Sequence, residues 1–393
     1  VKVAIVHYWL VTMRGGEKVL EELCKLYPQA DIFTLVLDEG TLSPILRKHK
    51  ITTSFLQSIP GSRKHYQKLL PLMPFALEQL DVTDYDLVIS SESGPAKGIV
   101  TRPDALHICY CHSPMRYIWD HYHVYRRELG LASRFVFSLV APLLRMWDVT
   151  TAARVDAFVS NSMHVSRRIA RVYGRLSTVI YPPVAVEDFE PADKIEDYYL
   201  CAGQIVTYKR VDLAVQAFTK MGKPLIVIGD GPHLEPLRRV AGPSVKFLGR
   251  CDFATLKHHL SHCRALVFPG EEDFGILPVE AMASGRPVIA YGAGGALESM
   301  GDEGAGVFFT DQSVDGLVDA VRRFEARFDE FDPSRIRKRA QRFSSARFRR
   351  EMSAFVEAEL ARKRNTFRQP EWNEIEAHED SSNTLVLTHD ERV

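Results

Sequence analysis

Little in this 393-residue chain points to a disulfide scaffold, a membrane span or a nucleic-acid partner. Its six cysteines, Cys24, Cys109, Cys111, Cys201, Cys251 and Cys263, are too sparse for a disulfide framework and include no CxxC pair. Reduced thiols and a cytoplasmic setting are therefore expected. Basic and acidic residues balance at 50 each, which removes the charge excess expected of a nucleic-acid binder. The longest apolar run, Phe135 to Leu144, is about half of a membrane span and contains Ser138 and Pro142, so no transmembrane helix is predicted. The chain opens on the strand pattern Val3 to Val6, and no secretory leader is expected. No solenoid repeat or low-complexity tract is visible.

What is there is alternation. Strands are predicted at Lys2 to Leu10, Ile32 to Leu37, Leu87 to Ser90, Leu106 to Tyr110, Ala157 to Val159 and Thr178 to Ile180, with helical patterns between most of them. The prolines of Tyr181 to Val184 break the rhythm, and an acidic, proline-bearing stretch runs on to Asp197. A second series follows at Tyr199 to Ala202, Leu225 to Ile228, Val245 to Leu248, Ala265 to Phe268, Val288 to Ala290 and Val307 to Phe309. Regular strand and helix alternation predicts parallel, doubly wound sheets. The reading is an α/β chain with two Rossmann-like domains facing a cleft, residues 1–184 and 198–342, joined by a linker at 185–197. A helix at 343–362 and a mobile tail at 363–393 complete it.

The stretch Ala265 to Ala290, ALVFPGEEDFGILPVEAMASGRPVIA, organises the second domain. It reads as strand, loop, short helix, strand, with Pro278 opening the helix and Gly285 closing it. Gly275 and Ile276 precede that helix, so their amides and its positive end face an anion. Glu272 and Glu280 flank the same place. Carboxylates beside a phosphate make sense if they accept hydrogen bonds from hydroxyls, as a ribose and a sugar ring offer. The alternative is a helix-start Glu280 and a solvated acidic loop. Lys209 and Arg210 enter the first helix of this domain, where cations are unfavourable without an anion, which favours phosphate binding. In the first domain, Gly15-Gly16 between strand and helix permits close approach of a ligand, or is a plain turn.

The spacing of Glu272 and Glu280, with Phe274-Gly275-Ile276 and Ala281-Met282-Ala283, resembles the retaining glycosyltransferases of family 4 over about residues 1–360. That resemblance implies a GT-B fold, with the donor nucleotide on the second domain, the acceptor approaching from the first, and the last helix returning to brace the first domain. It also implies residue roles. Lys209, with the Gly275 and Ile276 amides, stabilises the leaving diphosphate, while Glu272 orients the sugar and Glu280 holds the ribose. His112, in CYCHSPMRYIWD, lines the reacting face, and Arg116 contacts acceptor or phosphate. Gly16, Arg210, Gly231, Arg250 and Phe274 join the donor site. Gln204 stands where the family usually has arginine, and Arg210 is expected to compensate.

The closest likeness is to bacterial mannosyltransferases that use GDP-mannose in polysaccharide or O-antigen assembly, with a glycan or polyprenol-linked acceptor. No metal or other cofactor is implied. A nucleotide-sugar epimerase of the same fold and a non-catalytic nucleotide-sugar-binding partner are the alternatives. Two further readings stay open. Cys109, Cys111, His112, His121 and His123 form a dense set of zinc-type ligands. Ser62 to Leu80 mixes Arg63, Lys64, His65 and Lys68 with Leu69, Leu70, Leu72, Met73 and Phe75. It is either a peripheral inner-membrane contact at the cytoplasmic face or an ordinary basic surface.

Overall fold

Most of the apolar runs become strands buried on both faces, as parallel sheets covered by helices require. The computed structural model describes residues 1–367. The first domain runs β1 (Val3–His7), α1 (Gly15–Leu26), β2 (Asp31–Thr34), β3 (Ile51–Thr53), α2 (Ser62–His65), α3 (Met73–Glu78) and β4 (Leu87–Glu92). It continues through β5 (Leu106–Cys111), α4 (Tyr122–Glu128), α5 (Leu131–Thr151), β6 (Ala157–Ser160), α6 (Met163–Tyr173) and β7 (Ser177–Val179). The second domain runs β8 (Tyr199–Ala202), α7 (Val211–Met221), β9 (Leu225–Ile228), α8 (Leu234–Val240), β10 (Val245–Gly249), α9 (Phe253–His262) and β11 (Leu266–Phe268). Then come α10 (Ile276–Ala283), β12 (Val288–Tyr291), α11 (Ala296–Met300), β13 (Gly306–Phe309), α12 (Val314–Ala326), α13 (Pro333–Ala340) and α14 (Ser345–Phe367).

Strand order is β3-β2-β1-β4-β5-β6-β7 in one sheet and β10-β9-β8-β11-β12-β13 in the other, with every pairing parallel. Each order reverses once, between β1 and β4 and between β8 and β11. At such a point the loops leaving adjacent strands diverge and open a crevice at their carboxyl ends. These two crevices position everything described below.

Some boundaries differ from expectation. The strand expected to run to Leu37 ends at Thr34, because Leu37 only bridges Leu10. β3 was not foreseen: three half-buried residues carry no alternation to detect. The tail expected from residue 363 begins as helix, since α14 runs to Phe367 and Lys363 Nζ pairs with Asp156 at 2.8 Å. Residues 368–393 of that expected tail lie outside the described residues.

The α14 helix crosses from the second domain to the first. Phe348, Met352 and Val356, four residues apart, are buried in the core that also holds Ile5, Leu20 and Tyr110. Arg347 donates to the carbonyl of Tyr181 at 2.9 Å, and Arg349 pairs with Glu22 of α1. Removing the Phe348 ring is expected to cost about 3–5 kcal/mol, the range for a fully buried phenylalanine. Denaturant unfolding of Phe348→Ala checks this, and an unchanged midpoint would mean that α14 does not brace the first domain.

Candidate active site

Lys209 and Glu272 lie on the loops that leave β8 and β11, on either side of the second sheet's switch point. The Lys209 ammonium lies 2.7 Å from Glu272 Oε1. Glycine permits the approach: a Cβ on Gly270 would stand 2.6 Å from Lys209 Cα, and one on Gly203 would stand 3.3 Å from the ammonium. Burial opposes the Lys209 charge, but Glu272 and Tyr208 outweigh it, so the pKa is raised and the ammonium stays protonated. The cation that the sequence places unfavourably at a helix start is thus balanced by a carboxylate. Of its three donor positions, one goes to Glu272. The loop itself is held from behind by Gly295, whose N–H donates to the Glu272 carbonyl at 2.8 Å.

Gly275 has φ 82° and precedes α10, which no side chain caps. The first amides of α10 are left without an intrahelical acceptor. One turn further, Glu280 makes no side-chain hydrogen bond among the described residues. Burial pushes its carboxyl up to about 7, against the opposing pull of Lys18 in α1.

The first domain brings a second helix start to the same place. α1 begins at Gly15-Gly16, and Glu17 turns back to accept from the Arg14 N–H at 2.9 Å. A Cβ on Gly15 would stand 2.6 Å from Ile276 Cδ1 in the other domain. One on Gly16 would stand 2.5 Å from the Tyr8 hydroxyl and 3.7 Å from His112 Nε2. The starts of α1 and α10 therefore meet across the cleft, with Gly16 and His112 beside them. Ser91 Oγ lies 2.9 Å from His112 Nε2 and 3.0 Å from His7 Nδ1. Burial pushes the His112 imidazole down to about 4, despite the charge of Asp273, and the ring is neutral at physiological pH.

Other expected residues are placed differently. Arg210, the one non-glycine at positive φ among the described residues (51°), turns its guanidinium to Asp212 at 3.0 Å and Gln312 at 3.4 Å. It does not join Lys209 and Glu272. Gln204 instead receives Arg14 Nη1 from the first domain at 3.3 Å. Arg116 pairs with Asp273 at 2.5 Å, and Arg168 reaches the same oxygen at 2.7 Å, so Arg116 is committed to a seam between the domains. The Phe274 side chain is buried between Tyr181 and Phe343, which leaves only its backbone to face a ligand. A Cβ on Gly231 would stand 2.2 Å from the Ile205 carbonyl oxygen, so this glycine serves a close-packed turn. Arg250 is exposed just past the carboxyl end of β10.

The zinc reading of the cysteines does not fit. Cys109 and Cys111 share the face of β5 that packs into the core with Val165 and Ile169, whereas His112 joins Ser91 at the strand end. Among the described residues, the group spaced to hold a metal is Glu196, His258 and His262. It sits at the end of α9 that feeds β11, opposite the carboxyl ends that carry Lys209 and Glu272. Arg14, Asp273 and Glu298 were not read from the sequence. Glu298 accepts from the N–H groups of Met163 at 2.6 Å and His164 at 2.8 Å, capping α6 from the other domain.

The family described as Glycosyltransferase Family 4 matches residues 13–188, and Glycosyl transferases group 1 matches residues 187–343. The chain belongs to glycosyltransferase family 4. A GDP-mannose-dependent alpha-(1-6)-phosphatidylinositol monomannoside mannosyltransferase of Mycobacterium tuberculosis is 30% identical over 199 residues, covering 42% of this chain and 51% of the relative. The O-antigen chain mannosyltransferase RfbU of Salmonella typhimurium is 30% identical over 191 residues, covering 43% and 54%. The chain spans about half the length of the curated relatives it matches.

Among solved structures, sucrose-phosphate synthase of Thermosynechococcus elongatus aligns with TM-score 0.69 and 18% identity over 92% of this chain and 100% of its own. Anabaena Alr3699/HepE in complex with UDP aligns with TM-score 0.66 and 16% identity over 91% and 100%. At such identities the likeness is one of fold, and the GT-B fold expected from the family 4 resemblance is borne out.

Glu280 gives this site a pH signature. Its folded pKa of about 7 lies above the ordinary glutamate value, so the native state binds the extra proton and loses stability as pH rises towards and through 7. Glu280→Gln, neutral at every pH, should therefore be more stable than the parent at pH 8 and nearly equal to it at pH 5. Urea unfolding at both values checks this, and equal differences at the two would contradict the half-buried, unpartnered carboxylate.

Proposed function

We propose that this family 4 member is a retaining glycosyltransferase that moves a hexose, mannose from GDP-mannose, to a glycan or polyprenol-linked acceptor in cell-surface polysaccharide or lipopolysaccharide assembly. It would work in the cytoplasm, at the membrane face. The observation that carries the reading is the meeting of two helix starts, α1 and α10, beside Lys209, with Glu272 and Glu280 on the flanks. A diphosphate supplies the negative charge for the amides and ammonium, and hydroxyls supply the donors for the carboxylates. The mannosyltransferase relatives, at modest identity, support the choice of mannose.

In this reaction the bond from the anomeric carbon to the diphosphate oxygen breaks, and its electron pair leaves with the nucleoside diphosphate. The acceptor oxygen bonds to the same face of the carbon and gives up its proton to an oxygen of the leaving diphosphate. Lys209 and the amides at Gly275 and Ile276 stabilise the charge that grows on the leaving group. Glu272 orients the hexose, Glu280 holds the ribose, and the neutral His112 ring offers a hydrogen bond to the hexose. These groups do the work that a metal ion does elsewhere, so no metal is needed.

The test is incubation of purified protein with a panel of nucleotide sugars, with and without membrane lipid extract and EDTA. Acceptor-dependent consumption of GDP-mannose that survives EDTA is expected. Turnover without acceptor would point to an epimerase, and nucleotide binding without turnover to a non-catalytic partner. Activity lost in EDTA and restored by Mg²⁺ would overturn the metal-free mechanism.

Arg14 enters the same scheme. It reaches Gln204 from the first domain, so a guanidinium is present where the second domain lacks one. A charge-assisted hydrogen bond is worth about 1.5–3 kcal/mol, and Arg14→Ala should weaken donor binding by roughly 10- to 100-fold. In the Gln204→Arg background the loss should be much smaller. A double-mutant cycle on donor affinity measures the coupling, and equal losses in both backgrounds would refute it.

A further inference from the structure

The α5 helix is turned inside out. Its charged residues point into the protein: Asp148 is fully buried with Lys97 and accepts from Trp119 Nε1 at 2.7 Å. Arg134 donates to the carbonyls of Arg126, Arg127 and Leu129, each at 3.1 Å, and Arg145 to that of Ile118 at 2.6 Å. Its large apolar residues point out. Leu131 is 83% exposed, Phe135 67%, Leu139 59%, Leu143 61% and Met146 62%. Steps of four, four, four and three residues put these five on one ridge, about 22 Å long at 1.5 Å per residue. A water-facing helix normally shows the reverse arrangement, and a contiguous apolar ridge of this size marks an interaction surface.

By length and composition α5 could cross a membrane, but its other face is already engaged. Ala141 and Leu144 pack on Met115 and Ile118, and Asp148 is tied to Lys97. A helix fixed to its domain along one side and apolar along the other fits a bilayer interface, lying flat.

What borders it selects the occupant. Leu70 packs into the same cluster as α5, which brings the segment from Ser62 to Leu72 alongside. Arg63, Lys64 and Lys68 of that segment are exposed, and none is paired with a carboxylate among the described residues. No acidic residue occurs between Ser62 and Leu77. Phe75, 66% exposed, adds to the apolar area. The apolar surface expected on Ser62 to Leu80 is thus mostly elsewhere: Met73 is buried and Leu69 and Leu70 half-buried.

We propose that the outward ridge of α5, with the basic strip beside it, docks on an anionic lipid bilayer. Apolar side chains enter the acyl boundary, and the cations meet the headgroups. A second copy of this chain suits the surface less well, because a two-fold contact would bring identical basic strips into one interface. The docking surface adjoins the cleft. Glu128 at the end of α4 accepts from Thr207 at 2.6 Å, and His121 stacks edgewise on Tyr208, next to Lys209. A lipid-linked acceptor would then meet the cleft at the membrane plane, a consequence that rests on the proposed reaction, whereas the docking does not.

Co-sedimentation of the purified chain with vesicles tests the proposal. Binding to vesicles of phosphatidylglycerol and phosphatidylcholine is expected, at least tenfold above binding to phosphatidylcholine alone and weakened by salt. The triple variant Phe135→Ser, Leu139→Ser, Leu143→Ser should lose binding at least tenfold with an unchanged circular dichroism spectrum. Lys64→Glu with Lys68→Glu should lose the preference for the anionic vesicles. A parent that ignores both vesicle types, or a triple variant that binds as well as the parent, would overturn the proposal. So would a parent that runs as a dimer, with the triple variant monomeric and vesicle binding absent.

Discussion

Two helices whose N-cap residues supply no side-chain acceptor, α1 and α10, point their first amides at one spot on the boundary between domains. A helix start leaves several N–H groups without partners, and at some helices of this chain an N-cap side chain answers them: Ser162 for α6, Asp252 for α9, Ser313 for α12 and Asp332 for α13. At α10 the N-cap is Gly275, and at α1 Glu17 takes only the N–H of the N-cap Arg14, so the amides of both first turns stay open. Two positive helix ends and Lys209 at one place would repel unless anions are near. Glu272 balances part of that charge, and the rest of the seam is arranged around the same need.

Charge across the seam decides how the domains sit. Asp273 leaves the loop beside Glu272 and gathers both Arg116 and Arg168 from the first domain. Burial works against its ionisation, but the two guanidinium groups prevail and hold its carboxyl below the usual range. Arg14 crosses in the same direction to Gln204, and α14 crosses back to close the first domain's core. A pairing of this kind is costly to break singly, since one partner's removal leaves a buried charge alone. The cleft is therefore fixed by a few ionic contacts at its mouth and by hydrophobic packing at its back.

The sequence made the second domain legible almost to the residue because its strands are short apolar runs between turn signals. Tyr199–Ala202 and Leu225–Ile228 fall where the pattern puts them. Lys209, Glu272, Glu280 and the Gly275 turn were readable because they stand close in sequence to those strand ends. Arg14, Asp273 and Glu298 were not, for their partners lie more than a hundred residues away, and no periodicity records such a contact. Arg210 misled for a local reason: Asp212, two residues on, takes its guanidinium. Phe274 misled because one ring in a motif can serve the core as readily as a ligand, and Tyr181 and Phe343 decide the matter. The face of α5 escaped because a run of apolar residues looks the same whether it turns inward or outward.

Glu298 ties a local event to a global one. It belongs to α11, yet the amides it satisfies open α6 in the other domain. When the domains part, Met163 and His164 lose their acceptor while Ser162 keeps its own bond to Val165. The first turn of α6 must then fray or find water. Separation of the halves is written into the protection of two backbone hydrogens, so the molecule carries a gauge of its own aperture within an ordinary helix.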